Sequence, residues 1–387
     1  AQLSETFGLR VDPSVRVADL SVGIQQRVEI LKLLYRDAHL LILDEPTAVL
    51  TPQEVDDLFA VLRRLVLEGR TAIFITHKLY EVMNICQRAT VLRRGQVAGQ
   101  VDVAKSSIAE LAQLMVGHEV QPSALPDTPP QQTEERLVVR ALDVTDERGL
   151  PALKQISFTL FAGEILGLAG VEGNGQHELV EALIGKRTVK AGDILLSGQA
   201  VTHMSVRERR TRGMAIIPED RNREGLSKTM LIWENLVADT YHQPSASRQG
   251  FLRIGSIRRT AQQLIRQYDI RTPSENVEVG TLSGGNAQKI IIARELERQP
   301  AVLIAAQPTR GLDIGATRFV HEQMIALRAA GVAVLLISAD LDELLALSDR
   351  IAVIFEGRIL KTFGHKSFTR EQVGMYMAGK TESEAAR

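Results

Sequence analysis

Fully apolar runs of four to six residues recur along the chain, each followed by a stretch whose apolar positions return every three or four residues. Leu40–Leu43, Ala72–Ile75, Ile165–Leu168, Val302–Ala305 and Val332–Ile337 are such runs. Short strands without polar alternation belong to a parallel sheet covered on both faces, so the pattern predicts an α/β architecture. The helical stretches carry boundary signals. Thr51-Pro52-Gln53-Glu54 sets a capping Thr before a Pro at the first helical position and a Glu that closes a capping box. Val55, Leu58, Phe59, Leu62 and Leu65 then line one face until Gly69. Ile24, Val28, Leu31 and Tyr35 form a similar stripe after Ser21, and Pro300 stops a later helix whose inner face carries Ala287, Ile290, Ile291 and Leu296.

Much of this pattern occurs twice. Leu20-Ser21-Val22-Gly23-Ile24-Gln25-Gln26-Arg27 returns as Leu282-Ser283-Gly284-Gly285-Asn286-Ala287-Gln288-Lys289, an offset of 262 residues from Leu20 to Leu282. The same offset pairs Pro46-Thr47 with Pro308-Thr309, Gly69 with Gly331 and Gly95 with Gly357, without a gap from Val15 to Gly117. A repeat of this length is one domain present in two copies. It predicts the later part of a first copy over 1–118, an extended linker over 119–136 with Pro122, Pro126, Pro129 and Pro130, a second copy over 137–380 and a tail over 381–387.

Composition narrows the partners. Of 387 residues the formal net charge is −1, so no basic field argues for nucleic acid. Cys86 is the only cysteine, which excludes an internal disulfide and fits a reducing compartment; its plain reading is a small apolar residue on a buried face. No apolar run approaches the ~20 residues that span a bilayer. Arg207-Glu208-Arg209-Arg210-Thr211-Arg212 reads as a solvated helix face, and Trp233 either as core or as a transmission surface.

The candidate chemistry lies at strand ends. Strand Ile165–Leu168 runs into Gly170-Val171-Glu172-Gly173-Asn174-Gly175-Gln176-His177 and then a helix with Leu179, Val180, Leu183 and Ile184 on one side. Strand, glycine turn and helix start make an anion cradle: the glycines let N–H groups converge and the helix dipole favours phosphate. The spacing is that of a phosphate loop, but Gln176 stands where Lys belongs and His177 where a Mg²⁺-binding hydroxyl belongs. In the first copy, Leu40–Leu43 ends in Asp44-Glu45, at the edge where parallel sheets bind ligands. Asp44 suits Mg²⁺ held through water and Glu45 suits a base acting on water. Ala72–Ile75 delivers Thr76-His77 to the same edge. Ser283 with Gly284, Gly285 and Asn286 opens another anion-facing helix.

Together these motifs resemble the ATP-binding cassette (ABC) ATPases, and among them the two-cassette subunits of bacterial simple-sugar and nucleoside importers. Leu20–Arg27 and Leu282–Lys289 resemble the family signature, Leu43–Thr47 resembles Walker B with its catalytic glutamate, Thr76-His77 the switch histidine and Gly170–His177 Walker A. Pro218-Glu219-Asp220-Arg221 resembles the coupling segment around the Q-loop. The resemblance implies P-loop NTPase cassettes, mainly parallel in sheet, each with a helical signature subdomain and a small antiparallel β subdomain. It implies ATP and Mg²⁺ as cofactors and hydrolysis that drives uptake of nucleosides or simple sugars. The implied partners are integral-membrane permease subunits, a substrate-binding lipoprotein or periplasmic binding protein, and a second copy of the chain as a further candidate. The implied place is peripheral, on the cytoplasmic face of the bacterial plasma membrane.

In that family ATP lies between one cassette's phosphate loop and the other's signature. The 262 offset sets Ala306 opposite Asp44, Gln307 opposite Glu45, Ala339 opposite His77 and Val22 opposite Gly284. The resemblance therefore implies one hydrolytic site, with Asp44 (the Mg²⁺ ligand), Glu45 and His77 served by Ser283, Gly284, Gly285, Asn286 and Gln288. It implies one degenerate site, with Gly170, Gly173, Asn174, Gly175, Gln176 and His177 served by Ser21 and Gly23. Glu219, Asp220 and Arg221 are implied in coupling. The first copy's phosphate loop is expected roughly 90 residues before Ala1, making the chain an N-terminally shortened subunit of weak activity by itself. A soluble translation or repair factor and a nucleotide-binding regulatory module are the alternatives, and the short Pro-rich linker and one-sided losses speak against the first.

Overall fold

The computed structural model describes residues 4, 11–17, 20, 22–36, 38–47, 50, 52–76, 78–93, 95–116, 125, 134–365 and 367–380, without the side chains of 22, 23, 52 and 53. The chain divides into two compact units. One comprises 1–122, 171–173 and 370–387, and the other 123–170 and 174–369. Apart from Leu125 and residues 134–136, the expected linker lies outside the described residues, as does the tail.

In the first unit, helix α1 (Val22–Tyr35) precedes strand β1 (Leu40–Asp44), helix α2 (Pro52–Leu67) and strand β2 (Thr71–Ile75), which pairs with β1 in parallel. Helix α3 (Leu79–Ile85), the antiparallel pair β3 (Arg88–Arg93) and β4 (Gln96–Asp102), and helix α4 (Ile108–Val116) follow. The α2 face is the one its periodicity predicts: Leu58, Phe59, Leu62 and Leu65 are buried. The α1 stripe is so only in part. Ile30 and Leu34 are its buried positions and Tyr35 is 80 % exposed, while Leu31 of the expected stripe does pack against the core. Only one face of the β1–β2 pair is covered, by Ile30, Leu34, Leu58, Val61, Leu62 and Leu65 packed on Leu41 and Leu43. Leu40, Ile42, Ile73 and Ile75 on the other face are exposed, contrary to the expectation of two covered faces.

The second unit begins with an antiparallel sheet ordered β6-β5-β8-β9, formed by β5 (Glu135–Thr145), β6 (Pro151–Phe161), β8 (Ala191–Leu196) and β9 (Gln199–Ala200). Its main sheet is ordered β10-β13-β14-β7-β15-β16. It holds β7 (Ile165–Ala169), β10 (Met214–Ile217), β13 (Val302–Ala306), β14 (Ala333–Ser338), β15 (Arg350–Phe355) and β16 (Arg358–Phe363), parallel except for the last. Helix α5 (Gln176–Ile184) follows β7, and α6 (Val206–Thr211) precedes β10. The helical part carries α7 (Ile232–Val237), a hairpin of β11 (Ser247–Arg248) and β12 (Phe251–Leu252), α8 (Ile254–Gln267) and α9 (Gly284–Leu296). Helices α10 (Ile314–Ala329) and α11 (Leu341–Leu347) alternate with the late strands. The last helix, α12 (Arg370–Met377), belongs to the first unit, where the Arg370 guanidinium stands 4.9 Å from the Tyr80 ring.

Here both sheet faces are covered. Val302, Ile304, Leu335 and Ile337 share one core with Leu179 and Leu183 of α5 and with Leu137 and Leu142 of β5. Three sequence expectations change with burial. Arg209 is only 1 % exposed and donates to the carbonyls of Ala182 (2.6 Å), Leu183 (2.6 Å), Thr202 (2.6 Å) and Met204 (3.0 Å), closing the C-terminal end of α5. Arg210 bridges Asp239 (2.5 Å) and the buried Glu295 (2.8 Å), so this arginine run is partly interior rather than a solvated face. Cys86 is half-buried at the end of α3, and desolvation with the nearby Glu81 charge raises its thiol pKa. Trp233 packs in the core of the helical part, beneath the Arg258 guanidinium.

Candidate functional site

The glycine loop leaves β7, all of whose residues are buried, and turns into α5. Gly173 and Gly175 take φ of +93° and +105°, which side chains seldom adopt. A Cβ at Gly175 would stand 2.8 Å from Leu153 Cδ2, and one at Gly170 2.5 Å from Gln176 Nε2. Gln176 thus lies folded against the start of the loop, where the resemblance places a lysine. Asn174 anchors the loop to the β15–β16 turn: its Oδ1 accepts from Glu356 N at 2.8 Å and its carbonyl from Gly357 N at 3.0 Å. His177 lies along the helix, 3.5 Å from Glu181, which also holds Arg187.

Asp44 ends β1 on its exposed side and Glu45 follows with φ +43°, its N–H donating to Ile75 O at 2.9 Å. Two strand ends thereby meet at Glu45. The equivalent Gln307 has φ +46° and donates to Ile337 O at 2.8 Å, while its Oε1 accepts from Ala339 N at 3.1 Å. The amide is therefore bonded to the residue at the switch-histidine position. His77 and Ser21 lie outside the described residues, and Gly23 falls in the first turn of α1.

Sequence reasoning missed a pair of buried latches. Thr47 Oγ1 donates to Glu81 at 2.5 Å in one copy, and Thr309 Oγ1 to Glu343 at 2.8 Å in the other. Thr76 (2.9 Å) and Lys78 also hold Glu81, and His321 at 3.0 Å holds Glu343. The signal was present in the repeat, because both Thr and Glu recur at the 262 offset.

Ser283 caps α9, with Asn286 Nδ2 donating to its Oγ at 3.1 Å and Asn286 Oδ1 accepting from Arg271 N at 2.9 Å. Gly284 and Gly285, both half-buried, form the first turn. Gln288, expected among the ligand-facing residues, lies about one and a half turns past Ser283 and is 3 % exposed. Glu219 receives Arg310 at 2.6 Å, Asp220 caps the following turn, and Arg221 reaches the loop after β13. The residues fit nucleotide and metal. The loop at Gly170–Gly175 keeps open space at Gly173 ahead of the α5 helix start, Ser283 and the glycines open α9 with N–H groups, and Asp44 offers a hard oxygen at a strand end.

The family pattern described as "ABC transporter" matches residues 1–48 and 153–310, more than half of the chain. The chain belongs to the ABC transporter family. Among ABC relatives it is 46 % identical over 385 residues to the guanosine import ATP-binding protein NupO of Bacillus subtilis, covering 100 % of this chain and 75 % of that protein. It is 43 % identical to the nucleoside import ATP-binding protein NupA of Lactococcus lactis subsp. cremoris, covering 99 % and 76 %. The ribose import ATP-binding protein RbsA of Geobacillus kaustophilus is 36 % identical, with 95 % and 73 % covered. A solved nucleotide-free ATP-binding cassette from an ABC transporter superposes with TM-score 0.51 at 20 % identity, covering 60 % of this chain and 93 % of that one; it bears on the fold alone.

Proposed function

We propose that this ABC chain is the ATP-hydrolysing subunit of an importer, energising uptake of nucleosides, with simple sugars as the second substrate class, through separate membrane permease subunits. The observation that carries the reading is the division of chemistry at one offset. Asp44, Glu45 and His77 stand in the first copy, whereas Ala306, Gln307 and Ala339 replace them in the second, whose signature keeps both glycines. Hydrolysis is assigned to Asp44, which holds Mg²⁺ through water, to Glu45 as the base on the attacking water and to His77, with Ser283–Asn286 facing the phosphates. Gly170–His177 with Ser21 and Gly23 binds nucleotide weakly or without turnover, because the loop has neither lysine nor the partner carboxylates. Among the described residues no helix is long and apolar enough to cross a membrane, which agrees with a peripheral seat on the cytoplasmic face beside a permease. A binding protein that delivers the substrate completes the system.

The nucleoside preference follows the guanosine-import relative at 46 % identity; a glucose-import relative of Haloferax volcanii, at 43 %, is as similar as the nucleoside-import protein NupA and keeps sugars as the second class. Reconstitution of the subunit with its permease and binding protein tests it. Uptake of a labelled nucleoside should depend on ATP and exceed that of ribose. ATP-dependent ribose uptake without nucleoside uptake would reverse the assignment, and co-purification with ribosomes instead of membranes would remove it.

A further inference from the structure

Arg221 connects two segments of the second unit in a way that its assignment to permease coupling does not explain. It opens a five-residue π-type turn, Arg221–Gly225, in which Asp220 accepts from Asn222 N (2.9 Å) and Arg223 N (3.1 Å). Such turns are rare and concentrate at functional sites. The Arg221 guanidinium donates from Nη1 to Arg310 O at 2.7 Å and from Nη2 to Gly311 O at 3.3 Å. Arg310 in turn donates to Glu219 at 2.6 Å, so the two segments are tied in both directions.

The same guanidinium lies against the signature. Nη2 is 2.9 Å from where a Cβ on Gly284 would stand and 3.6 Å from where one on Gly311 would stand. Glycine at Gly284 lets the planar fork lie between the signature turn and the loop after β13. On the other side a Cβ on Gly285 would stand 2.8 Å from Ala316 Cβ of α10, the helix that Asp313 caps. The turn Ser283–Gly285 is therefore held from two directions. The first copy has Val22, Ala48 and Val49 at the positions of Gly284, Arg310 and Gly311. A valine at the first of these would stand where the guanidinium lies. The seat for the fork is found in the copy whose signature keeps both glycines.

We propose that Arg221 is a positioning residue for ATP hydrolysis, its fork fixing the signature turn Ser283–Gly285 against the Arg310–Gly311 carbonyls so that the N–H groups opening α9 meet phosphate in one geometry. This rests on the reading of Ser283–Asn286 as phosphate-facing. The fork acts by shape as well as charge: a planar group bonding two successive carbonyls is not replaced by the point charge of lysine.

The test uses the full-length subunit reconstituted with its permease. Arg221→Lys and Arg221→Ala should each lower kcat for ATP by about tenfold or more, with KM within about threefold. The thermal midpoint should stay within about 2 °C, which separates positioning from folding. Gly284→Ala should also lower kcat, and its penalty should shrink in the Arg221→Ala background, where the new Cβ meets no guanidinium. An unchanged kcat in Arg221→Lys, a loss matched by a fall in thermal midpoint, or additive penalties in the pair would overturn the proposal. Ser283→Ala is measured in parallel. If it retains full hydrolysis, the phosphate-facing reading fails and this one with it; if it loses hydrolysis while Arg221→Lys keeps it, the role of Arg221 alone fails.

Discussion

Strands β1 and β13 occupy equivalent places in the repeat, pair in the same register with β2 and β14, and lead into residues of the same backbone shape. Leu40 faces Thr71 as Val302 faces Ala333, and Glu45 and Gln307 take φ of +43° and +46°. Their surroundings differ. Ile42 is 59 % exposed and Ile304 is fully buried, packed in one core with residues of α5 and β5. The chemistry differs in the opposite sense: the strand with the bare face carries the carboxylates, and the enclosed one carries Ala306 and Gln307. The left-handed backbone at Gln307 persists after the carboxylate is gone. It is therefore a property of the strand-to-helix path and not strain held for catalysis. The two copies share the backbone and differ in the side chains at its strand ends.

That difference is sharpest at Glu45. Glu45→Gln should lower ATP hydrolysis by the permease-bound subunit about a hundredfold or more, the contribution of a positioned base. Gln307→Ala at the equivalent place should leave the rate within about twofold, and equal losses at both would erase the distinction. Packing gives the next effect. Leu335→Ala, in the enclosed sheet, should cost about 2–5 kcal/mol in denaturant unfolding. Ile73→Ala at its exposed counterpart should stay within about 0.5 kcal/mol, and a large loss there would mean that the open face is covered.

The latches should behave alike where the catalytic residues do not. Thr47→Val and Thr309→Val each remove a hydrogen bond to a buried carboxylate and should each cost about 1–3 kcal/mol by the same measurement. A cost confined to the first copy would tie that latch to hydrolysis instead of to the shared fold. The smallest effect is expected on α6. Arg207→Ala, on its exposed side, should change stability by about 0.5 kcal/mol or less, although it stands two residues from the fully enclosed Arg209.

Much of this was legible in the chain. The strands fall on the all-apolar runs to within a residue, and α2 begins at Pro52 as the capping signal indicated. The repeat transferred each boundary from one copy to the other, and it located the catalytic differences at three positions. Legibility ended where an outcome depended on a distant neighbour. Tyr35 fits the stripe of α1 by spacing, but the elements that pack on α1 meet Ile30 and Leu34 instead. Arg209 and Arg210 looked like surface charges because the carbonyls and carboxylates that receive them come from α5, α7 and α9. Gln288 reads as part of a ligand-facing motif, yet it is buried.

What the sequence determined by itself is the order of strands and helices, the duplication and the placing of chemistry at strand ends. These follow from periodicity, capping and the glycine requirement of left-handed backbone, all of which act over a few residues. Only the tertiary structure decided which sheet faces are covered, that threonine and glutamate latch each copy, and that Arg221 seats on Gly284 and Gly311. Burial and hydrogen bonding are settled between residues far apart in the chain, and no local pattern encodes which partner arrives.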